Sequence, residues 1–211
     1  MNLTEKMKNI WENTGTRNAH LGLDGEAEEM FARYKALVAD KLSVKNKIII
    51  DFGCGGGLLG KYLLENFSIK KYIAYDLSER SLKIAKGNTK NYENKEFNYL
   101  EKHVWNFSEK KPDIIICLAV MIHFPTQIYL DNFLKTCDES GAKKLVLEIR
   151  DIGKGNIFQR DPYATIKQTI LTCGTNEPYV TSKLANYKLI EKTDASIAPT
   201  NCQVLWYTRG K

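Results

Sequence analysis

The chain has 211 residues, 43% of them hydrophobic and 27% charged, which fits one globular domain and excludes a disordered or fibrous chain. Its 31 Lys+Arg against 25 Asp+Glu leave a net charge of +6 without any dense basic block, so an anionic ligand is allowed and nucleic acid is not demanded. No apolar run nears the ~18 residues of a membrane span. The opening MNLTEKMKNIW lacks the apolar core of a secretion signal, so the expected location is cytoplasmic. Five cysteines (54, 117, 137, 173 and 202) form no CxxC pair and read as reduced, inert packing.

Residues 1–46 are polar and helical in pattern, with a break at Asn13-Thr14-Gly15. Ala27, Met30, Phe31, Tyr34, Leu37 and Val38 recur at helical steps and predict a helix over Gly25–Leu42. Lys47–Phe52 is a short apolar run ended by glycine, as a strand buried on both faces should be. A helix over about Leu58–Asn66 follows, then a strand over Lys71–Asp76, a helix over Glu79–Lys86 and a weaker strand over Glu96–Leu100. Asp113–Leu118 is a fourth strand. Thr126 can cap a helix running to about Asp138, and Lys144–Ile149 is a fifth strand. Asp161-Pro162 can open a helix to Leu171, and Tyr179–Ala185 fits another. The chain closes on strands over Tyr187–Thr193 and Gln203–Thr208, with no helix between, which permits an antiparallel pair. Alternating strands and helices predict a parallel α/β sheet covered on both faces.

The chemistry centres on Asp51-Phe-Gly53-Cys54-Gly55-Gly56-Gly57. A buried strand ends in a carboxylate, and glycines then turn the chain toward a helix. Missing Cβ atoms let a ligand lie against that backbone, at the carboxyl end of a parallel sheet. Gly55 to Gly60 also satisfies the GxGxxG of dinucleotide binders, which alone decides nothing. Asp51 decides against it, because a carboxylate there repels a diphosphate and suits a ligand carrying a positive amino group. Asp76 ends the next strand and can take a ribose diol. Ser78, rather than Asp76, can cap the helix that follows.

DFGCGGG resembles motif I of the class I S-adenosylmethionine-dependent methyltransferases. YDLSERSLKIAK resembles their second motif, and PDIIICLAVMIHFP their fourth motif and the turn beyond it. The resemblance covers roughly residues 45 to 208. It implies a Rossmann-like seven-stranded, mainly parallel sheet with a C-terminal antiparallel strand and helices on both faces. It divides the chain into an N-terminal helical cap or lid (1–46) and a cofactor-binding core (47–211). The implied cofactor is S-adenosylmethionine, with S-adenosylhomocysteine as product and no metal. Asp51 would lie near the methionine amino group, and Gly53, Cys54, Gly55 and Gly57 would line the methionine and ribose portions. Asp76 would bind the ribose hydroxyls with Leu77 against the adenine. Glu101 or His103 would meet the adenine N6, and Cys117 and Leu118 would present backbone to the methionine moiety.

His123 has two readings, a general base facing the methyl group or a structural or cofactor-side contact. Arg17 and His20 lie between Gly15 and Gly22 and read as a solvated turn or a lid. Arg150 and Asp151 leave the fifth strand at the sheet edge of the glycine loop. The stretch 152–176 is longer than an ordinary loop and reads as a substrate cap carrying Arg160 and Tyr163. With Lys154, these cations predict an anionic small-molecule acceptor, such as an ethanolamine-phosphate-like amine or a surface-polysaccharide sugar. The chain lacks the Asn/Asp-Pro-Pro-aromatic motif of base N-methylation, so nucleic acid is not the expected partner, and a monomer or homodimer is. The alternatives are an RNA or protein methyltransferase and a non-catalytic S-adenosylmethionine-binding subunit.

Overall fold

The computed structural model describes residues 3–13, 27–100, 105–153, 157–160, 173–195 and 201–210. Helix α1 is Leu3–Asn13 and α2 is Ala27–Tyr34, extended by a π-helical turn over Lys35–Ala39. Then come β1 (Ile48–Phe52), α3 (Leu58–Asn66), β2 (Lys71–Asp76), α4 (Glu79–Asn88) and β3 (Lys95–Tyr99). Strand β4 (Ile114–Cys117) leads through a 3-10 turn at Met121–His123 into α5 (Gln127–Glu139) and β5 (Lys144–Arg150). The two-residue strands β6 (Gln159–Arg160) and β7 (Cys173–Gly174) precede α6 (Glu177–Ser182), β8 (Tyr187–Asp194) and β9 (Cys202–Arg209). Seven strands make one sheet in the order β3-β2-β1-β4-β5-β9-β8, and β6 pairs with β7 separately. This is the mainly parallel sheet with a reversed last strand that the sequence predicts.

The chain forms two compact units, Lys8–Glu101 and Met1–Met7 with Lys102–Lys211. In the first, β1 and β3 flank β2 in parallel, and the core is Ile49, Ile50, Phe52, Leu63, Tyr72 and Ile73. Continuous apolar runs form these central strands because neither face meets water. In the second unit β4 pairs parallel with β5, while β5–β9 and β8–β9 are antiparallel. Its core includes an aromatic cluster in which Phe124 and Phe133 lie 5.3 Å apart and Trp105 and Tyr129 4.9 Å apart, edge to face.

Three helix starts follow from single polar residues. Ser78 accepts the Ser81 N–H, Thr126 the Tyr129 N–H and Asn176 the Tyr179 N–H, each relieving an otherwise unpaired donor. The last of these moves the expected Tyr179–Ala185 helix earlier, to Glu177–Ser182. The expected Gly25–Leu42 helix leaves α geometry at Lys35, and the expected helix after Pro162 lies outside the described residues. The β6–β7 pair within the predicted cap has no counterpart in the sequence reading. None of the five cysteines is in a disulfide, and all are buried. Among the described residues no helix is long and apolar enough to cross a membrane.

Candidate functional site

The glycine loop folds over the end of β2, where the Gly53 and Cys54 N–H groups both donate to the Tyr75 carbonyl, at 2.8 and 3.0 Å. Gly53, Gly55 and Gly57 have φ of 77°, 52° and 75°, the left-handed region that glycine enters at no steric cost. At Gly57 a Cβ would also stand 2.7 Å from the Ala85 Cβ, so a side chain would force α4 away from the loop. The Asn88 amide donates to the Gly56 carbonyl at 2.8 Å and ties the loop to the same helix. Cys54 is buried, and burial with the charges of Asp76 and Asp51 pushes its thiol well up. It is packing, not a nucleophile.

Asp76 ends β2 and closes the loop from the other side. Its Oδ2 accepts the Gly55 N–H and its Oδ1 accepts the Ser78 N–H, both at 2.8 Å. A carboxylate has about four lone-pair sites, so acceptor capacity remains for a ligand hydroxyl. Burial pushes this carboxyl up to about 6, and the N–H groups of Ser78 and Gly55 oppose the shift. Close by, the Glu12 carboxylate of α1 accepts the Glu79 N–H at 2.6 Å and the Arg80 N–H at 3.4 Å. Glu12 thereby caps α4, and no local signal in the sequence points to it.

Asp51 is 5% exposed, and its Oδ2 accepts the Tyr72 hydroxyl at 2.5 Å. Burial pushes it up to about 7, the Tyr72 hydrogen bond opposes this, and the charge of Asp76 adds to it. Both carboxyls therefore hold protons more tightly folded than unfolded, where the ordinary value is 3.8. Their stabilising protonation is complete below about pH 4 and is lost as pH rises through about 6 and 7. The ligand-free protein should melt higher at pH 5 than at pH 8, and Asp51→Asn should shrink that difference. Melting curves of the two proteins at both pH values test this, and an unchanged difference would refute the assignment to Asp51.

The remaining predicted residues lie in the other unit or beyond the described residues. Cys117 ends β4 fully buried, with Leu118 half-buried after it. The next residue, Ala119, has φ 57° and donates its N–H to Glu148 at 2.8 Å. Glu148, 1% exposed in the middle of β5, holds this turn, and the sequence signal for it is a lone acid inside the apolar run KLVLEIR. His123 closes the 3-10 turn after β4, half-buried. The Cys173 thiol reaches the Met121 carbonyl of that turn at 3.2 Å. Arg150 lines a shallow surface depression with Met121, Leu130, Phe158 and Cys173. Asp151 instead accepts the Gly153 N–H at 2.9 Å. Glu101, His103, Arg17, His20, Lys154 and Tyr163 lie outside the described residues, and only the backbone of Arg160 is described, in β6.

A sheet of this order, a glycine loop after β1 and an acid at the end of β2 are the arrangement that the resemblance to class I S-adenosylmethionine-dependent methyltransferases implies. Comparison with known proteins points the same way: residues 50–142 match the family model described as "Methyltransferase domain". One relative, a ubiquinone biosynthesis O-methyltransferase of Coxiella burnetii, is 30% identical over 106 residues, 47% of this chain and 41% of its own. The chain thus spans about two fifths of that relative's length. The structure of magnesium protoporphyrin IX methyltransferase from Synechocystis with bound S-adenosylhomocysteine superposes with a TM-score of 0.63 at 18% identity, covering 98% of this chain and 94% of that one. A Leishmania major S-adenosylmethionine-dependent methyltransferase gives 0.70 at 14% identity, covering 98% and 83%. At such identities these two structures establish the fold.

Proposed function

We propose that the protein transfers the methyl group of S-adenosylmethionine to a heteroatom of a small anionic acceptor. The observation that carries the cofactor is the pairing of a buried carboxyl, Asp51, with a half-buried one, Asp76, at one glycine loop. Asp51 is buried with its Oδ2 accepting the Tyr72 hydroxyl and no cation bonded to it among the described residues, which fits an ammonium group. Asp76 keeps acceptor capacity for a ligand hydroxyl, and the backbone of Gly53, Cys54, Gly55 and Gly57 is bare enough for close approach. A dinucleotide would set its diphosphate against Asp51, an unfavourable charge pairing.

Bound S-adenosylmethionine supplies a sulfonium methyl that is already electrophilic. The protein's share is to hold the acceptor in line and exclude water. Leu77 is assigned to the adenine side, with Glu101 or His103, and Cys117 and Leu118 to the methionine side. His123 is the candidate to take a proton from the acceptor atom. Arg150, with Arg17, His20, Arg160 and Tyr163, is assigned to the acceptor's anionic group. Oxygen is the favoured acceptor atom over nitrogen, because the Coxiella burnetii relative above is, by name, an O-methyltransferase. The working form is a monomer or homodimer acting on a diffusible molecule in the cytoplasm.

Calorimetric titration of S-adenosylmethionine, S-adenosylhomocysteine and NAD into the purified protein tests the cofactor. Micromolar binding of the first two and none of the third is the expected result. Transfer of a labelled methyl to carboxylated or phosphorylated alcohols and amines then tests the acceptor, with Arg150→Ala expected to raise KM for these and not for neutral acceptors. Salt-sensitive RNA binding would favour an RNA substrate instead, and cofactor binding without any transfer would favour a regulatory subunit.

A further inference from the structure

We infer that Tyr72 is a positioning residue for the cofactor's amino group, acting through Asp51; this rests on the cofactor reading above. Strand register makes the contact. Asp51 stands opposite Ala74 in the parallel β1–β2 pair, and Tyr72, two residues earlier on β2, shares a face with Ala74. Its ring is completely buried against Gly60, where a Cβ would stand 2.4 Å from the ring carbons. The glycine is what leaves room for the ring. The hydroxyl then reaches Asp51 Oδ2 at 2.5 Å and donates to it.

That donation has two consequences. It favours the ionised form of a carboxyl that burial otherwise drives toward protonation. It also fixes the rotation of the carboxylate. The groups facing this pair are Cys54 from the loop, Asp76 from the end of β2 and Tyr34 from α2 toward Tyr72, none of them a cation. Among the described residues no positive side chain pairs with Asp51, so the compensating charge has to arrive with the ligand's ammonium group.

The test is calorimetry on the full chain between pH 6 and 8.5 with two ligands. One is S-adenosylhomocysteine. The other is 5′-methylthioadenosine, the same nucleoside thioether without the amino acid portion. Wild-type affinity for the first should rise with pH as Asp51 ionises. Tyr72→Phe keeps the ring and should weaken that ligand about tenfold at pH 7, since a hydrogen bond to a charged group is lost. It should also move the rise to higher pH and leave methylthioadenosine binding unchanged at every pH. Asp51→Asn should give weak binding that keeps only the rise due to Asp76 near pH 6, to which adding Tyr72→Phe contributes little. Tyr72→Phe with the wild-type affinity and pH profile would overturn the role, as would an equal loss of both ligands. Wild-type protein binding neither ligand would overturn the cofactor reading itself.

Discussion

Asp76→Ala should weaken S-adenosylhomocysteine binding by at least about tenfold while the protein stays folded. The wild-type carboxylate accepts two backbone N–H groups and retains the capacity for a ligand hydroxyl. A charge-assisted hydrogen bond contributes roughly 1.5–3 kcal/mol, so losing it costs more than an order of magnitude in affinity. The protein also loses contacts of its own. Gly55 gives up an acceptor at a half-buried position where water can replace it, whereas the fully buried Ser78 N–H is left without one at a cost of about 1–3 kcal/mol. Asp76→Asn separates the two roles further. It keeps one acceptor oxygen and sets an amide N–H₂ against one of the two backbone N–H groups, so it should bind nearly as weakly as the alanine variant. Circular dichroism beside the titration shows whether the fold survives. A loss below threefold in either variant would remove Asp76 from the ribose site.

Most of the first unit was legible in the sequence because its physics is local. An apolar run that ends in an acid and then glycines reads as a buried strand opening into a ligand loop. Strand Lys71–Asp76 and helix Leu58–Asn66 fall where pattern and breakers place them. Ser78 and Thr126 cap as their residue types predict. What escaped is long-range or out of period. A 3.6-residue pattern cannot reveal that the helix after Tyr34 widens into a π turn. Tyr72 reads as a core aromatic until the register with β1 is known, and only then does its hydroxyl acquire Asp51, 21 residues away, as a partner. Glu12 caps a helix that starts 67 residues later, a contact without any local sign. Glu148 was visible as an acid in an apolar strand, but not what it holds, because the Ala119 turn has no glycine to mark its positive φ.

Gly60→Ala should strongly destabilise the loop-bearing unit. An added Cβ would lie 2.4 Å from two ring carbons of Tyr72 and 2.8 Å from its hydroxyl oxygen. No contact of that length is tolerated, so something must move. The ring has little freedom, being completely buried and tethered by its hydroxyl to Asp51. Overpacking of this kind costs about 1–3 kcal/mol or somewhat more. At the upper end, a chain of this size should lose roughly 6–12 °C in Tm. The cause can be checked by removing the obstacle. Tyr72→Leu alone opens a cavity and destabilises the wild type. In the Gly60→Ala background the smaller side chain accepts the new methyl, so the double variant should be more stable than the sum of the single losses predicts. Ligand affinity should not recover with it, because Asp51 still lacks its hydroxyl donor. Additive stability losses would place the strain elsewhere than at this ring. Recovery of S-adenosylhomocysteine affinity together with Tm would show that the loop needs Tyr72 for its volume and not for its hydroxyl.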